Sequence, residues 1–337
     1  MLVAFAYNLR HSYASTSDPK SQLEADFDDQ LTIDAMINNL KACGWDVLPV
    51  EANEQAYDVL YKKRNDISIL FNYSLGLNGK DRYAHIPAIC EMLKIPYTGS
   101  GPLTQALVMN KARAKEILFA NGVPTLPFQI FKTGKEQLDK HLKFPLIVKP
   151  VGQGSSAGIT NKSVVNSEKE LVSQVDFVTT TFGETALVEP FIDGREFSVA
   201  MLGNPPEILP LIESDHSVLP KGFLPLDSLE VKWEFEVAES AKNLICPAKV
   251  DKELAQRIEK ICKATWEALS VTDLARIDLR CDKRGNMFVL EVNSPPGLIP
   301  EEVFVNSYFP LASRAAGLTY QDVLKSIVSA AMKRYAL

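Results

Sequence analysis

The stretch LARIDLRCDKRGNMFVLEVN, residues 274–293, decides how this chain is read. Two runs of alternating character flank Asp282-Lys283-Arg284-Gly285, the pattern of a β-hairpin whose register follows from its turn. A four-residue loop sets Arg276 opposite Glu291 and Asp278 opposite Val289, and side chains alternate between the two faces. One face then carries Arg276, Asp278, Glu291 and Asn293, and the other Ala275, Ile277, Leu279, Phe288, Leu290 and Val292. Two carboxylates and an amide oxygen on one surface are hard ligands of the kind Mg²⁺ takes, and the adjoining arginine suits a substrate anion. A solvated sheet face of mixed charge reads the same way in isolation, so the remaining sequence has to decide.

With 337 residues, 46% hydrophobic and 23% charged, the chain has ordinary globular composition and length for two or three compact units. A net charge of −6 argues against broad attraction to nucleic acid and points to small-molecule partners. The cysteines, at 43, 90, 246, 262 and 281, are scattered without a CxxC pair, so neither a zinc site nor a disulfide framework is expected, and a cytoplasmic setting is. No stretch approaches eighteen continuous apolar residues, and no membrane partner is expected.

Residues 2–7 and 45–50 read as buried strands around a helix near 28–43 stopped by Gly44, and ISILFN at 67–72 supplies a third strand. This α/β start lacks a GxGxxG after its first strand, which excludes a dinucleotide-binding dehydrogenase. IPYTGSG at 95–101 is a junction leading into a helix near 103–120. LIVKP at 146–150 is a strand, and ALVEPFIDGREFSVAML at 186–202 reads as two strands linked through Asp193-Gly194. Further helices fall near 251–269 and 319–335. Between them, 213–246 reads as a long irregular loop, equally suited to a lid or a solvated connection.

Gly152, Gly154, Ser155, Ser156 and Gly158 follow the strand at 146–150, where small residues let backbone N–H groups and hydroxyls approach phosphate. It is not a Walker loop, since GK[ST] is absent, and alone it is as readily a simple turn. Lys149 and Lys111 offer compact positive charges, and Glu189 and Glu196 offer acceptors for an adenine amino group or ribose hydroxyl.

Taken in order, these motifs resemble the ATP-grasp superfamily, specifically the D-alanine–D-alanine ligase-like carboxylate–amine ligases. The resemblance runs through IPYTGSG, MNKARAKEIL, FPLIVKPVGQGSSAGI, LVEPFIDGREFSVAMLG, ARIDLRCDKRGNMFVLEVNSPPGL and PLASRAAGLTYQDVL, spanning residues 95–325. It implies an α+β ATP-grasp fold: an N-terminal α/β domain over 1–101, a central domain over 102–196 and a C-terminal domain over 197–337. It also implies ATP as cofactor, with Mg²⁺ as a pair of ions, Mn²⁺ being an alternative. Lys111 and Lys149 would contact phosphates, with Ser155 and Ser156 on the phosphate lid. Glu189 and Ile192 would meet adenine and Glu196 the ribose. Asp278, Glu291 and Asn293 match the metal positions, Arg276 the arginine at the acyl centre, and Gly297 a backbone donor beside it. The implied chemistry is ADP-forming amide synthesis through an acyl phosphate. Related ligases are often dimers, so a homodimer is expected.

The pattern departs at the amino-acid subsites. In place of the family's first-domain signature stands AYNLRHSYASTSDPKSQLEADFDD, where Glu24, Asp26 or Asp28 would supply the carboxylate that grips an ammonium group. In the expected flap, 219–243, Lys232-Trp233 resembles a lysine–tyrosine pair. After Gly297 the chain is longer by five residues, and the substrate-carboxylate serine maps to Ser307 by spacing before Pro310, or to Glu302 counted from Gly297. These changes leave open a ligase for another amino acid, peptide or natural-product carboxylate, and a nucleotide-binding regulatory pseudo-ligase.

Overall fold

The computed structural model describes residues 1–12, 15, 17–237 and 242–337. Its first sheet is parallel, in the order β2-β1-β3, from β1 (Leu2–Tyr7), β2 (Asp46–Glu51) and β3 (Ile69–Asn72). Helices α1 (Gln30–Ala42), α2 (Ala56–Lys63) and α3 (His85–Leu93) complete this unit. Val3 and Phe5 enter one core while Ala4 and Ala6 enter another, as a strand covered on both faces requires. The Asp29 carboxylate starts α1 by accepting from the Thr32 amide, and Gly44, at φ +87°, ends it.

The single helix expected over 103–120 is two, α4 (Pro102–Met109) and α5 (Lys111–Ala120). Asn110 between them is extended, and its side chain accepts from the Arg113 amide at 3.1 Å, so it caps α5 instead of continuing α4. The break makes Lys111 the first residue of a new helix, with its amide donated to Val151 O.

The second sheet is antiparallel, β4-β7-β5-β6, from β4 (Gln129–Phe131), β5 (Leu146–Pro150), β6 (Val164–Val165) and β7 (Ala186–Pro190), covered by α6 (Glu168–Phe182). The third runs β11-β10-β8-β12-β13, from β8 (Gly194–Leu202), β10 (Ile212–Ser214), β11 (Leu244–Ile245), β12 (Leu274–Asp282) and β13 (Met287–Asn293), with β9 (Glu207–Ile208) also on β8. The two strands expected in 186–202 both form, but they belong to different sheets, and residues 191–193 cross between them. Helix α7 (Lys252–Ala268) packs Leu254, Ile258, Cys262 and Trp266 beneath the third sheet. Helices α8 (Tyr308–Ala315) and α9 (Tyr320–Arg334) close the chain, and Val323, Leu324 and Ile327 share a core with Val3, Phe5 and Ile33.

The decisive hairpin forms in a different register from the expected one. Its turn is three residues, Lys283-Arg284-Gly285, with the Asp282 amide donated to Asn286 O at 2.9 Å. A bulge then leaves Leu290 unpaired, because Leu279 faces Val289 while Asp278 faces Glu291. Each feature offsets the pairing by one residue, and together they set Arg276 opposite Asn293. Two offsets preserve parity at the far end, so the four polar residues still share a face. Nearer the turn they do not cancel: Met287 and Val289, not Phe288 and Leu290, join Ala275, Ile277 and Leu279 in the core.

Candidate active site

The second and third sheets enclose a cleft lined by Lys111, Lys149, Glu189, Ile192 and Glu196. Leu126, Ile147, Phe191 and the bulged Leu290 give it apolar walls. Glu189 is fully buried and holds two ammonium groups, Lys149 Nζ and Lys115 Nζ, each at 2.8 Å. Burial would raise its pKa, but Lys115 and Lys149 overcome this and hold it at about 2. Burial lowers Lys115 below the ordinary lysine range, whereas for Lys149 the pull of Glu189 outweighs burial and raises it. Lys115 was not singled out from the sequence, yet it lies one helical turn beyond Lys111 on α5, a spacing that could have found it.

Glu196 is buried beside Arg280, whose guanidinium also donates to Ile192 O at 2.9 Å and to Pro225 O. His216 Nε2 lies 2.8 Å from Asp227 Oδ1 and 3.9 Å from Glu196. Burial and the neighbouring Asp227 raise the Glu196 pKa against the opposing pull of Arg280 and His216. Arg280, His216 and Asp227 were likewise not singled out. The last two stand in the irregular loop, where no periodicity marks a position.

That loop is not a solvated connection: it is docked over the loop at 152–158. Ser156 Oγ donates to Asp227 O at 2.7 Å, the Leu229 amide to Ile159 O at 2.7 Å, and Trp233 Nε1 to Ser155 O at 3.4 Å. Lys232 and Trp233 ride on a wide turn, Val231–Phe235, closed by the Glu236 amide on Val231 O. Residues 238–241 of the expected flap lie outside the described residues, as do 13, 14 and 16 of the altered first-domain segment. In the loop after β5, Ser155 and Ser156 hold φ of +46° and +60°, a conformation costing non-glycine residues on the order of 1–3 kcal/mol each. Such strain persists where the surroundings impose it. Gly154 is required for another reason: a Cβ there would lie 2.8 Å from Asp26 Oδ1. With the lid down, about 70 Å³ remains in the cleft.

Asp278 accepts from Arg276 Nε and Nη2, both at 2.9 Å, from Ser198 Oγ at 2.6 Å and from Asn293 Nδ2 at 2.8 Å. Glu291, directly across from it, lies 3.5 Å from Lys111 Nζ. Burial opposes its ionisation, but Lys111, Lys232, Arg276 and Lys149 bring its pKa to about 2. Asp278, Glu291 and the Asn293 amide oxygen therefore form an oxygen-donor set on one face, beside Lys111. These residues would suit a divalent ion such as Mg²⁺, which favours oxygen donors.

A second cavity, of about 600 Å³, meets the cleft at Gly154, Lys232 and Glu291. Ser155, Trp233, Arg276, Asn293, Gly297 and Ser307 line it. Glu24 does not: its carboxylate accepts from the amides of His11 and Ser12, at 2.6 and 2.9 Å, and so folds its own loop. Asp26 reaches the cavity but is paired with Arg82 and Tyr83, each at 2.9 Å. Asp28 lines it too, with burial raising its pKa to about 6. Glu302, the alternative to Ser307, points to Asn39 Nδ2 at 2.7 Å and lines a different hollow.

The family model for the D-Ala–D-Ala ligase C-terminus matches residues 117–329, which hold both clefts' floor and the lid. The chain belongs to the D-alanine–D-alanine ligase family. It is accordingly an ATP-dependent, ADP-forming carbon–nitrogen ligase with the ATP-grasp fold. A D-alanine–D-alanine ligase of Pelotomaculum thermopropionicum is 31% identical over 315 residues, covering 90% of this chain and 91% of that one. An uncharacterized protein of Sinorhizobium fredii is 35% identical over 309 residues, covering 90% and 88%. The crystal structure of a Bacillus anthracis D-alanine–D-alanine ligase complexed with ATP superposes with a TM-score of 0.73 at 24% identity, over 100% of this chain and 99% of that one. Among the described residues no helix is long and apolar enough to cross a membrane.

Proposed function

We propose that this ligase joins a substrate carboxylate to an amine through an acyl phosphate, with ATP in the smaller cleft, Mg²⁺ on Asp278, Glu291 and Asn293, and the amino-acid substrates in the larger cavity. The observation that carries this reading is the junction of the two spaces at Gly154, Lys232 and Glu291, with Arg276 at the cavity side of the metal-type face. A carboxylate held there lies against the end of the cleft where Lys111 and Lys149 gather phosphate oxygens.

Mg²⁺, when bound, supplies charge neutralisation between an anionic nucleophile and an anionic triphosphate. In the first step a carboxylate oxygen bonds to the γ-phosphorus and the bond to ADP breaks. In the second an amine bonds to the acyl carbon, inorganic phosphate leaves, and a proton is released from nitrogen. Arg276 stands where negative charge develops on the acyl oxygen, aided by the backbone beside Gly297. Lid contacts through Trp233, Asp227 and Leu229 would keep water from the acyl phosphate. A regulatory nucleotide sensor has no use for an arginine at that point, which favours turnover.

The test is ADP release with Mg²⁺ against single and paired D- and L-amino acids, with mass spectrometry of the product. An amide product formed in step with ADP supports the reading. ATP binding without ADP release across the panel would leave the pseudo-ligase as the better account.

A further inference from the structure

We infer that one of the two substrates is an amino acid with a bulky apolar side chain, aliphatic or aromatic, seated against Trp233 and Val237 of the lid and Ile299, Val303 and Phe304 of the loop after Gly297. The inference rests on the ligase reading and specifies the substrate class for the same cavity.

The first support is size. The cavity of about 600 Å³, open on one side to solvent, is present while the lid is docked on the loop at 152–158. Two alanines carry twelve non-hydrogen atoms, and even at the roughly 30 Å³ that one water occupies in the liquid they fill little more than half of it. The second is lining. Charge enters the cavity from the first-domain segment, from Lys232 and Glu236 of the lid and from the end of the hairpin that carries Arg276 and Glu291, whereas Trp233 and Val237 of the lid and Ile299, Val303 and Phe304 of the loop form an apolar wall, with Val237 55% exposed and Val303 and Phe304 half-buried. An apolar surface turned into a substrate cavity is stabilised by an apolar group that displaces its water.

The wall is braced, so it does not fold inward to fill the space. Asn306 Nδ2 donates to Glu236 O at 3.0 Å, tying loop to lid, and Arg314 Nη2 donates to Val305 O at 2.6 Å. Tyr320 OH donates to Leu298 O at 2.5 Å, and Asn39 Nδ2 to Glu302 at 2.7 Å. The five-residue extension thus stands on α1, α8 and α9 and holds Val303 and Phe304 at the cavity edge.

The experiment compares alanine, leucine and phenylalanine, in both hands, singly and paired, with the full chain and Mg²⁺-ATP. ADP release and product mass are read alongside calorimetric binding of each amino acid in the presence of a non-hydrolysable ATP analogue. Leucine or phenylalanine should exceed alanine at least tenfold in kcat/KM. Val303→Trp, and independently Ile299→Phe, should lower the ratio of bulky to alanine turnover at least tenfold. Alanine used as well as any larger residue would overturn the inference and leave the ligase reading standing. Bulky amino acids that bind, and lose binding in Val303→Trp, without ADP release would uphold the pocket and overturn the ligase reading. Neither binding nor turnover of a bulky residue would overturn the inference.

Discussion

The indole Nε1 of Trp233 donates to the carbonyl oxygen of Ser155 at 3.4 Å, adding an aromatic side chain to the contacts by which Asp227 and Leu229 also hold the lid to the strained loop at 152–158. Arg10, from the altered first-domain segment, stacks 4.9 Å above the same ring. Three parts of the chain that share no sequence motif therefore meet over the reaction chamber. Trp233→Phe keeps the ring for Arg10 and removes the donor, costing about 1 kcal/mol of lid docking. Water should then intercept the activated carboxylate more often. The check is the ratio of ADP released to amide formed, expected to rise several-fold while ATP affinity changes little.

Glu291→Ala removes a carboxylate that faces Asp278 and balances Lys111, Lys232 and Arg276. Turnover in saturating Mg²⁺ should fall by at least about 100-fold, because the ion loses an oxygen donor where phosphate charge must be offset. Circular dichroism should be unchanged. Near-normal ADP release would remove Glu291 from the metal site.

Lys115→Met breaks one half of the Lys115–Glu189–Lys149 cluster at the back of the nucleotide cleft. Losing one partner of a buried ion pair costs about 3–5 kcal/mol, so the melting temperature should drop by several degrees. ATP binding should weaken with it, since Lys149 is then drawn more tightly to Glu189 and away from phosphate. Unchanged stability would mean that the methionine repacks the site fully.

Asp28 sets a pH dependence of opposite sign to most carboxylates. Burial holds its folded pKa at about 6, above the ordinary aspartate value of 3.8. Protonated Asp28 is the form the fold prefers, so its contribution is fully present below pH 3.8 and is lost as pH rises through 6. A shift of two units corresponds to roughly 3 kcal/mol. Asp28→Asn should abolish this component: measured as wild type minus variant, unfolding free energy should fall by about that amount between pH 4 and 7.

Much of this site was legible because chemistry constrained short segments. The alternation in LARIDLRC announced both faces of β12, and the small residues of VGQGSSAG announced a loop that phosphate can approach. The partner strand was harder, since Met287, Phe288, Val289 and Leu290 are all apolar, and only in the fold do 287, 289 and 292 prove to be the core positions, the odd step between the last two marking the bulge. Asn110 looked like a polar residue within a helix, and only the competition between its side chain and the backbone reveals a cap. Arg280 was hidden for a different reason. Nothing in the hairpin pattern set it apart, while in the fold the docked lid covers it and Pro225 O takes one of its donors. Glu24 erred the other way, an acid in the expected segment whose local amides were closer than any ligand.

The hairpin's two cancelling offsets carry a consequence for how this chain can change. Substitutions at Phe288 or Leu290 alter only what they touch, but removing one residue from 287–290 while the pairing is kept would turn Glu291 to the other face and bring Val292 to its place. Strand length here is thus inherited as strictly as residue identity. Drift toward new substrates is left to segments outside the hairpin, such as the loop after Gly297, where added residues disturb no pairing.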